Sequence, residues 1–287
     1  MARGKVRVGV SGWRYQGWRK TFYPSELPQR RELEYLSARF DTVEINGSFY
    51  SLQRPESYQR WYTETPRGFV FAVKGSRYIT HMKKLRDVEV PLANFFASGV
   101  LSLEEKLGPF LWQFPRTFPW DERFEAFLRL LPKTVREAER LAKKHDGRVA
   151  PFVAQRGPDR NLHHAVELRH PSFCDPAFIA LLREHSIGLV VADAPDFPLF
   201  FDLTAPFVYV RLHGGEKIYE SGYSPAQLDT WARRVNSWRE GRQPRGVDLT
   251  AERAPSGQPR DVYFYFDNDA KVRAPYDAGE LVLRIGK

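Results

Sequence analysis

Sulfur and long apolar runs are what this chain has least of. Its 287 residues include one cysteine, Cys174, so no intrachain disulfide can form and the bridged frameworks of small secreted domains are excluded. That favours a cytoplasmic protein. No stretch approaches the roughly 20 apolar residues that a membrane-crossing helix needs. Met1-Ala2-Arg3-Gly4-Lys5 leads into a short apolar alternation rather than a signal-peptide core, and no membrane partner is expected. No Gly/Ser tract or charge block divides the chain, which reads as one domain over residues 1–287. Motifs are missing as well. There is no HExxH, and a lone cysteine cannot build a sulfur-rich metal site. His164 and His170 would stand about 20 Å apart on an extended segment, too far to share an ion. The phosphate loop GxxxxGK followed by Ser or Thr is absent. Neither an organic cofactor nor an obligate protein partner is expected.

What is present is enough to fold. Hydrophobic residues make up 42% and aromatics 14%, whereas a disordered chain lacks the apolar surface that offsets ordering entropy. The formal charge of +9 is uneven, with 17 Lys/Arg against 9 Asp/Glu in residues 1–100 and 27 against 26 beyond. Such a field draws small phosphorylated anions or nucleic acid; it equally serves solubility.

Short apolar runs alternate with helical patterns, the mark of a parallel sheet covered by helices. Strands are expected at Val6–Val10, Thr42–Asn46, Phe69–Lys74, Phe110–Phe114, Ala165–Arg169, Gly188–Asp193, Val208–His213 and Val262–Asp267. Eight strands close a (β/α)8 TIM-type barrel. Extra helices are expected around strands three to five, within Leu92–Leu103, and at Glu122–Leu131 and Val135–Lys144, which Pro132 separates. Ser224-Pro225-Ala226-Gln227 has the form of a capping box, opening a helix with a stripe of Leu228, Trp231, Val235 and Trp238. Asp175-Pro176 opens another.

Residues two apart on a strand share a face. That phase turns Glu44 and Asn46 toward the barrel axis, with Glu167 and Arg169, and Tyr209, Arg211 and His213. Lys74, Gln113, Asp193 and Asp267 finish four other strands. Polar groups therefore recur at the carboxyl ends, where barrel active sites form. They can equally satisfy one another as buried ion pairs. Lys74, Arg169 and Arg211 would supply positive charge to a phosphate or carboxylate. His213 and His81 are the acid/base candidates near neutral pH. Glu44, Glu167 and Asp193 would accept protons, bind hydroxyls or hold a divalent cation. Gly214-Gly215 after strand seven suits either backbone approach to an anion or a tight turn. Trp13 and Trp18, with Phe49 and Tyr50, would wall a cleft or pack as a lid. Cys174, just before a helix, reads as packing rather than as a nucleophile.

These segments resemble the YecE-like family, domain of unknown function 72. The matching pieces are GVSGWRYQGW at 9–18, FYP at 22–24, FDTVEINGSFY at 40–50, FVFAVKGSRYITH at 69–81, LGPFLWQFP at 107–115, VELRHPSF at 166–173, VYVRLHG at 208–214 and YFYFDND at 263–269. They run in order over nearly the whole chain. The resemblance implies a β/α barrel and no particular reaction. Its characteristic polar positions fall on Trp13, Glu44, Asn46, Tyr50, Lys74, His81, Gln113 and Glu167 in the first part of the chain. Arg169, His170, Asp193, Arg211, His213, Asn268 and Asp269 follow. Phe173 stands where the family pattern has tryptophan, and Asp267 where it more often has asparagine, which adds negative charge near strand eight.

Three functions compete. The first is an enzyme on an anionic, phosphate-containing substrate, hydrolysing a phosphoester or phosphodiester: Lys74, Arg169 and Arg211 hold oxygens, and His213 or His81 moves protons. Trp13, Asn46, Tyr50, Gln113, His170, Asn268 and Asp269 complete its substrate contacts. The second is sugar processing with Glu167 and Asp193 as paired carboxylates. The third is a non-catalytic nucleic-acid-binding module.

Overall fold

The computed structural model describes residues 3–149 and 158–286; Met1 and Ala2 of the amino-terminal reading lie outside the described residues. Eight strands are present: β1 Val6–Ser11, β2 Thr42–Ile45, β3 Val70–Lys74, β4 Leu107–Gln113, β5 His164–Glu167, β6 Gly188–Asp193, β7 Phe207–Leu212 and β8 Asp261–Phe266. They form a closed barrel in sequence order, parallel throughout the described pairings, with helices packed around it. All eight expected strands are found, and their ends move. Asn46 has left β2 for helical backbone, and Arg169 and His213 follow β5 and β7 rather than ending them. β4 begins earlier than its apolar run, because Gly108-Pro109 sits at a register shift between Phe71 and Val73 of β3. An irregularity of this kind tolerates a proline that donates no ladder hydrogen bond.

The extra helices fall where the long intervals predict them, at Glu89–Ala97, Glu122–Leu130 and Val135–Ala142. Asp121 and Thr134 cap the latter two through backbone N–H groups of Arg123 and Glu137. No helix among the described residues is long and apolar enough to cross a membrane.

The chain divides into two compact units. In the unit of Met1–Glu44 with Cys174–Lys287, helix Pro225–Arg239 starts with the expected capping box and buries Leu228, Trp231, Val235 and Trp238. Trp231 meets Phe264 of β8 edge-on, at 5.7 Å between centroids. Inside, Gly9 pairs in register with both Thr42 and Tyr265, and a Cβ at Gly9 would stand 2.1 Å from the Thr42 carbonyl oxygen. In the unit Ile45–Phe173, Phe110, Trp112 and His164 stack on the helix-facing side of β4 and β5, against Phe95, Phe96 and Phe127.

Candidate functional site

Strand register decides which polar residues meet. In parallel ladders, paired residues project to the same face. Ser11 pairs with Glu44, and Arg211 with Tyr265, which puts all four on the inner face with Thr42 and Tyr209. There Glu44 accepts from Ser11 Oγ, from Tyr209 OH at 2.6 Å and from Arg211 Nη2 at 2.9 Å. The same Arg211 nitrogen lies 2.9 Å from Asp267 Oδ2, and His213 Nδ1 is 2.9 Å from that oxygen. Arg211, Glu44 and His213 have no exposed surface, and the His213 ring lies between those of Phe197 and Tyr219. Arg211 faces two carboxylates, and burial, with Glu44 adding to it, pushes the Tyr209 hydroxyl well above its ordinary pKa.

Asp193 takes another direction. It pairs with Leu212, and Ala192 with Arg211, so the alternation turns Asp193 to the helix-facing side. There Tyr223 and Trp231 bond its carboxyl, whose pKa is raised by burial. Asn268 is fully buried and donates to Ser221 O at 2.9 Å and Asp277 Oδ2 at 2.8 Å, tying a loop to helix Arg273–Ile285. Asp269, partly buried beside Asp267, has its pKa raised to about 6. Trp13 and Trp18 are buried, and Trp18 packs with Tyr15, Phe22 and Tyr23. Gly214 adopts φ 102°, and its N–H donates to Tyr223 OH at 3.0 Å, as in a tight turn. Cys174 is exposed rather than packed.

The second cluster lies within Ile45–Phe173. Lys74 pairs with Leu111 and Gln113 with Glu167, so Lys74, Gln113 and Glu167 share the inner face at the carboxyl ends of three adjacent strands. Arg169 Nε donates to Glu167 Oε1 at 2.9 Å. Lys74 Nζ sits 4.3 Å from the centre of the Phe49 ring, which also meets the Tyr50 ring at 5.1 Å and the His81 imidazole at 5.2 Å. His81 lies in a single π-helical turn, Tyr78–Met82, and its Nδ1 is 2.8 Å from Thr80 Oγ1. Burial first, then Arg169, Lys74 and Arg77, push the His81 pKa down to about 4, with Glu167 opposing. Tyr50 is 68% exposed, and Arg77 lies over its ring. His170 Nδ1 accepts from the backbone N–H of Ser172 at 3.1 Å. Gln113 is buried and makes no side-chain hydrogen bond among the described residues.

Among the described residues no three His, Cys, Asp or Glu side chains are placed to hold a metal ion together. Each carboxylate of the possible cation set has other contacts: Glu44 accepts from Tyr209 and Arg211, Glu167 from Arg169, and Asp193 faces the helices. Sequence reading missed Ser11, Tyr265, Arg77 and Thr80. The phase of GVSGW and YFYF carried the signal for the first two; nothing local carried it for the others.

The family model described as protein of unknown function DUF72 matches residues 7–287. The chain belongs to this family. Curated members similar to it include the UPF0759 protein YunF of Bacillus subtilis (strain 168), 30% identical over 43% of this chain and 45% of that protein, so the aligned part spans under half of that relative's length. The UPF0759 protein YecE of Escherichia coli (strain K12) is 23% identical over 83% of this chain and 84% of that protein. The crystal structure of a DUF72 family protein from Thermotoga maritima MSB8 superposes with a TM-score of 0.74 at 24% identity, covering 99% of this chain and all of that one. One from Enterococcus faecalis V583 gives 0.71 at 18%, covering 98% and 96%. These DUF72 likenesses show the fold alone.

Proposed function

We propose that the protein is an enzyme acting on an anionic, phosphate-containing substrate, breaking a phosphoester or phosphodiester bond at the carboxyl ends of β3 to β5. In this reading the whole chain works as one domain, and the lone cysteine supports a cytoplasmic setting. The observation that carries it is the setting of His81. Three cations, Arg169, Lys74 and Arg77, act on a half-buried imidazole against the single carboxylate of Glu167. This setting therefore favours an anion and keeps the imidazole neutral at pH 7. An arriving phosphate offsets the cations and lets His81 take up a proton, so substrate binding itself tunes the base.

Lys74 and Arg169 hold the non-bridging oxygens, and the free amide of Gln113 adds a donor. Water attacks phosphorus, its proton passes to His81 Nε2, and the P–O bond to the leaving oxygen breaks as that oxygen takes the proton. Glu167 fixes the Arg169 fork. Asn46 and Tyr50, after β2, and His170, after β5, contact the remainder of the substrate, and Tyr50 offers an exposed ring for stacking. Sugar processing by Glu167 and Asp193 has less support, because the β6 register turns Asp193 to the helices.

The test follows the His81 ring protons by NMR titration with and without inorganic phosphate, beside turnover of bis(p-nitrophenyl) phosphate and an abasic-site oligonucleotide. Phosphate raises the His81 pKa by a unit or more in the native chain and not in Lys74→Met, and His81→Ala loses turnover. An unmoved His81 titration at millimolar phosphate, with no turnover, overturns the reading. Oligonucleotide binding without turnover replaces it with the nucleic-acid-binding module.

A further inference from the structure

Helix Pro225–Arg239 has an outer side with a chemistry of its own. Its apolar stripe faces the barrel, while Thr230, Arg233, Arg234 and Ser237 fall at i, i+3, i+4 and i+7 on another side. They face the loop Arg242–Gly246 across a pocket of about 610 Å³, within the range of small-ligand sites. Four guanidinium groups line it, those of Arg233, Arg234, Arg242 and Arg245, and no carboxylate is among the described residues that do.

The fold answers part of this charge and leaves the rest open: the Asp193 carboxylate acts on Arg234. Arg242 pairs with Glu240 at the rim. Among the described residues the Arg233 guanidinium donates to the Thr230 hydroxyl alone, at 2.8 Å. Arg245 is exposed and makes no ion pair among the described residues. Arg234 is half-buried and fixed by two rings: its guanidinium carbon lies 4.5 Å from the centre of Trp231 and 4.7 Å from that of Phe201. Stacking immobilises the guanidinium plane and leaves its N–H edge available, since Arg234 donates no hydrogen bond among the described residues. The loop is anchored to the same frame, because Gln243 Nε2 donates to the Phe201 carbonyl at 2.8 Å. Arg233 and Arg234 repel each other, Arg233 and Arg245 have no ion pair among the described residues to offset their charge, and planar forks suit phosphate oxygens two at a time.

We propose that this pocket is a binding site for a small polyphosphate, of the class of inorganic tripolyphosphate or the phosphate chain of a nucleotide. It shares no residue with the His81 cluster or with the Glu44–Arg211 network. A pocket of this size, bounded by helix Pro225–Arg239 and the loop Arg242–Gly246, fits a short chain of phosphates, whereas an extended nucleic acid needs a basic track.

The experiment is titration calorimetry of the full chain with sodium tripolyphosphate, ATP, sulfate and a short oligonucleotide, with tryptophan emission recorded because Trp231 lies under Arg234. Tripolyphosphate binds one per chain and perturbs the emission, and the exposed-site variant R233E/R245E, with unchanged Tm, binds at least tenfold more weakly. Lys74→Met keeps the binding, which separates this site from the proposed substrate site. ATP tighter than tripolyphosphate assigns the ligand to nucleotides, and equal affinity assigns it to free polyphosphate. Binding unchanged in R233E/R245E, or sulfate or the oligonucleotide bound as tightly as tripolyphosphate, overturns the proposal.

Discussion

Glu44 Oε1 and Arg211 Nη2 stand 2.9 Å apart with neither side chain exposed. A buried pair is weak evidence of net stabilisation, but removing one partner strands the other charge out of water, at about 3–5 kcal/mol. Arg211→Met is therefore expected to lower unfolding free energy by that amount in urea titrations, and Glu44→Gln by less, since its amide still meets Ser11 and Tyr209. The double variant should recover part of the loss. An Arg211→Met chain as stable as the native one, with phosphate binding gone, would make Arg211 a ligand residue instead.

His164 is the second group whose charge state the fold dictates. Its Nδ1 accepts from Trp112 Nε1 at 3.1 Å and its Nε2 donates to Pro132 O at 2.8 Å, so it is held as one neutral tautomer. Burial lowers its pKa to about 4, against an ordinary 6.5. Between those values the unfolded chain binds more protons, so stability falls as pH drops through that window, by about 3 kcal/mol at most. His164→Leu should flatten the window and also cost stability at pH 7, about 1–3 kcal/mol per stranded partner. Equilibrium unfolding at pH 7, 5.5 and 4 distinguishes the two effects.

Asp269 has the opposite linkage. Burial and the neighbouring Asp267 raise its folded pKa to about 6, against an ordinary 3.8. An acid shifted this way binds its proton more tightly when folded, so its cost to stability appears as pH rises through that interval. Asp269→Asn is expected to gain about 1 kcal/mol at pH 7, allowing for solvent screening, and nothing at pH 3. A Tm difference that does not grow with pH would contradict this origin.

The two glycines after β7 should behave differently. Gly214 has φ 102°, and an added Cβ would lie 2.7 Å from Lys217 O, whereas at Gly215 it would meet the flexible Gln227 Nε2 at 3.3 Å and Tyr223 Cε1 at an ordinary 3.7 Å. Gly214→Ala should cost about 1–3 kcal/mol through backbone strain, and Gly215→Ala close to nothing. Equal loss of phosphate affinity in both would instead show that the loop cradles an anion.

The barrel was legible in the chain because apolar runs and helix starts are local. The strand at Gly188–Asp193, the capping box at Ser224 and the stripe through Trp231 need only their neighbours in sequence to be read. Local alternation also found the inward phase of Glu44, Tyr209 and Arg211. It could not say what each would meet. Arg211 reads as an anion-binding cation from its strand alone, and register with β1, β2 and β8 is what surrounds it with Ser11, Glu44 and Asp267.

The same division applies to charge. By sequence, excess positive charge sits in residues 1–100, and the rest is nearly balanced. Yet Arg233, Arg234, Arg242 and Arg245 gather on one pocket of that balanced part, because a helix puts residues three and four apart side by side and a loop folds back upon them. Asp193 shows the converse: its place at a strand end was readable, and its direction was fixed only by pairing with Leu212. Composition and periodicity determine which segments are strands, helices and core, because burial of apolar surface follows spacing along the chain. Which charges are neutralised, which stay open to a ligand and which carboxylates share a site depend on register between distant strands, and that only the tertiary structure decided.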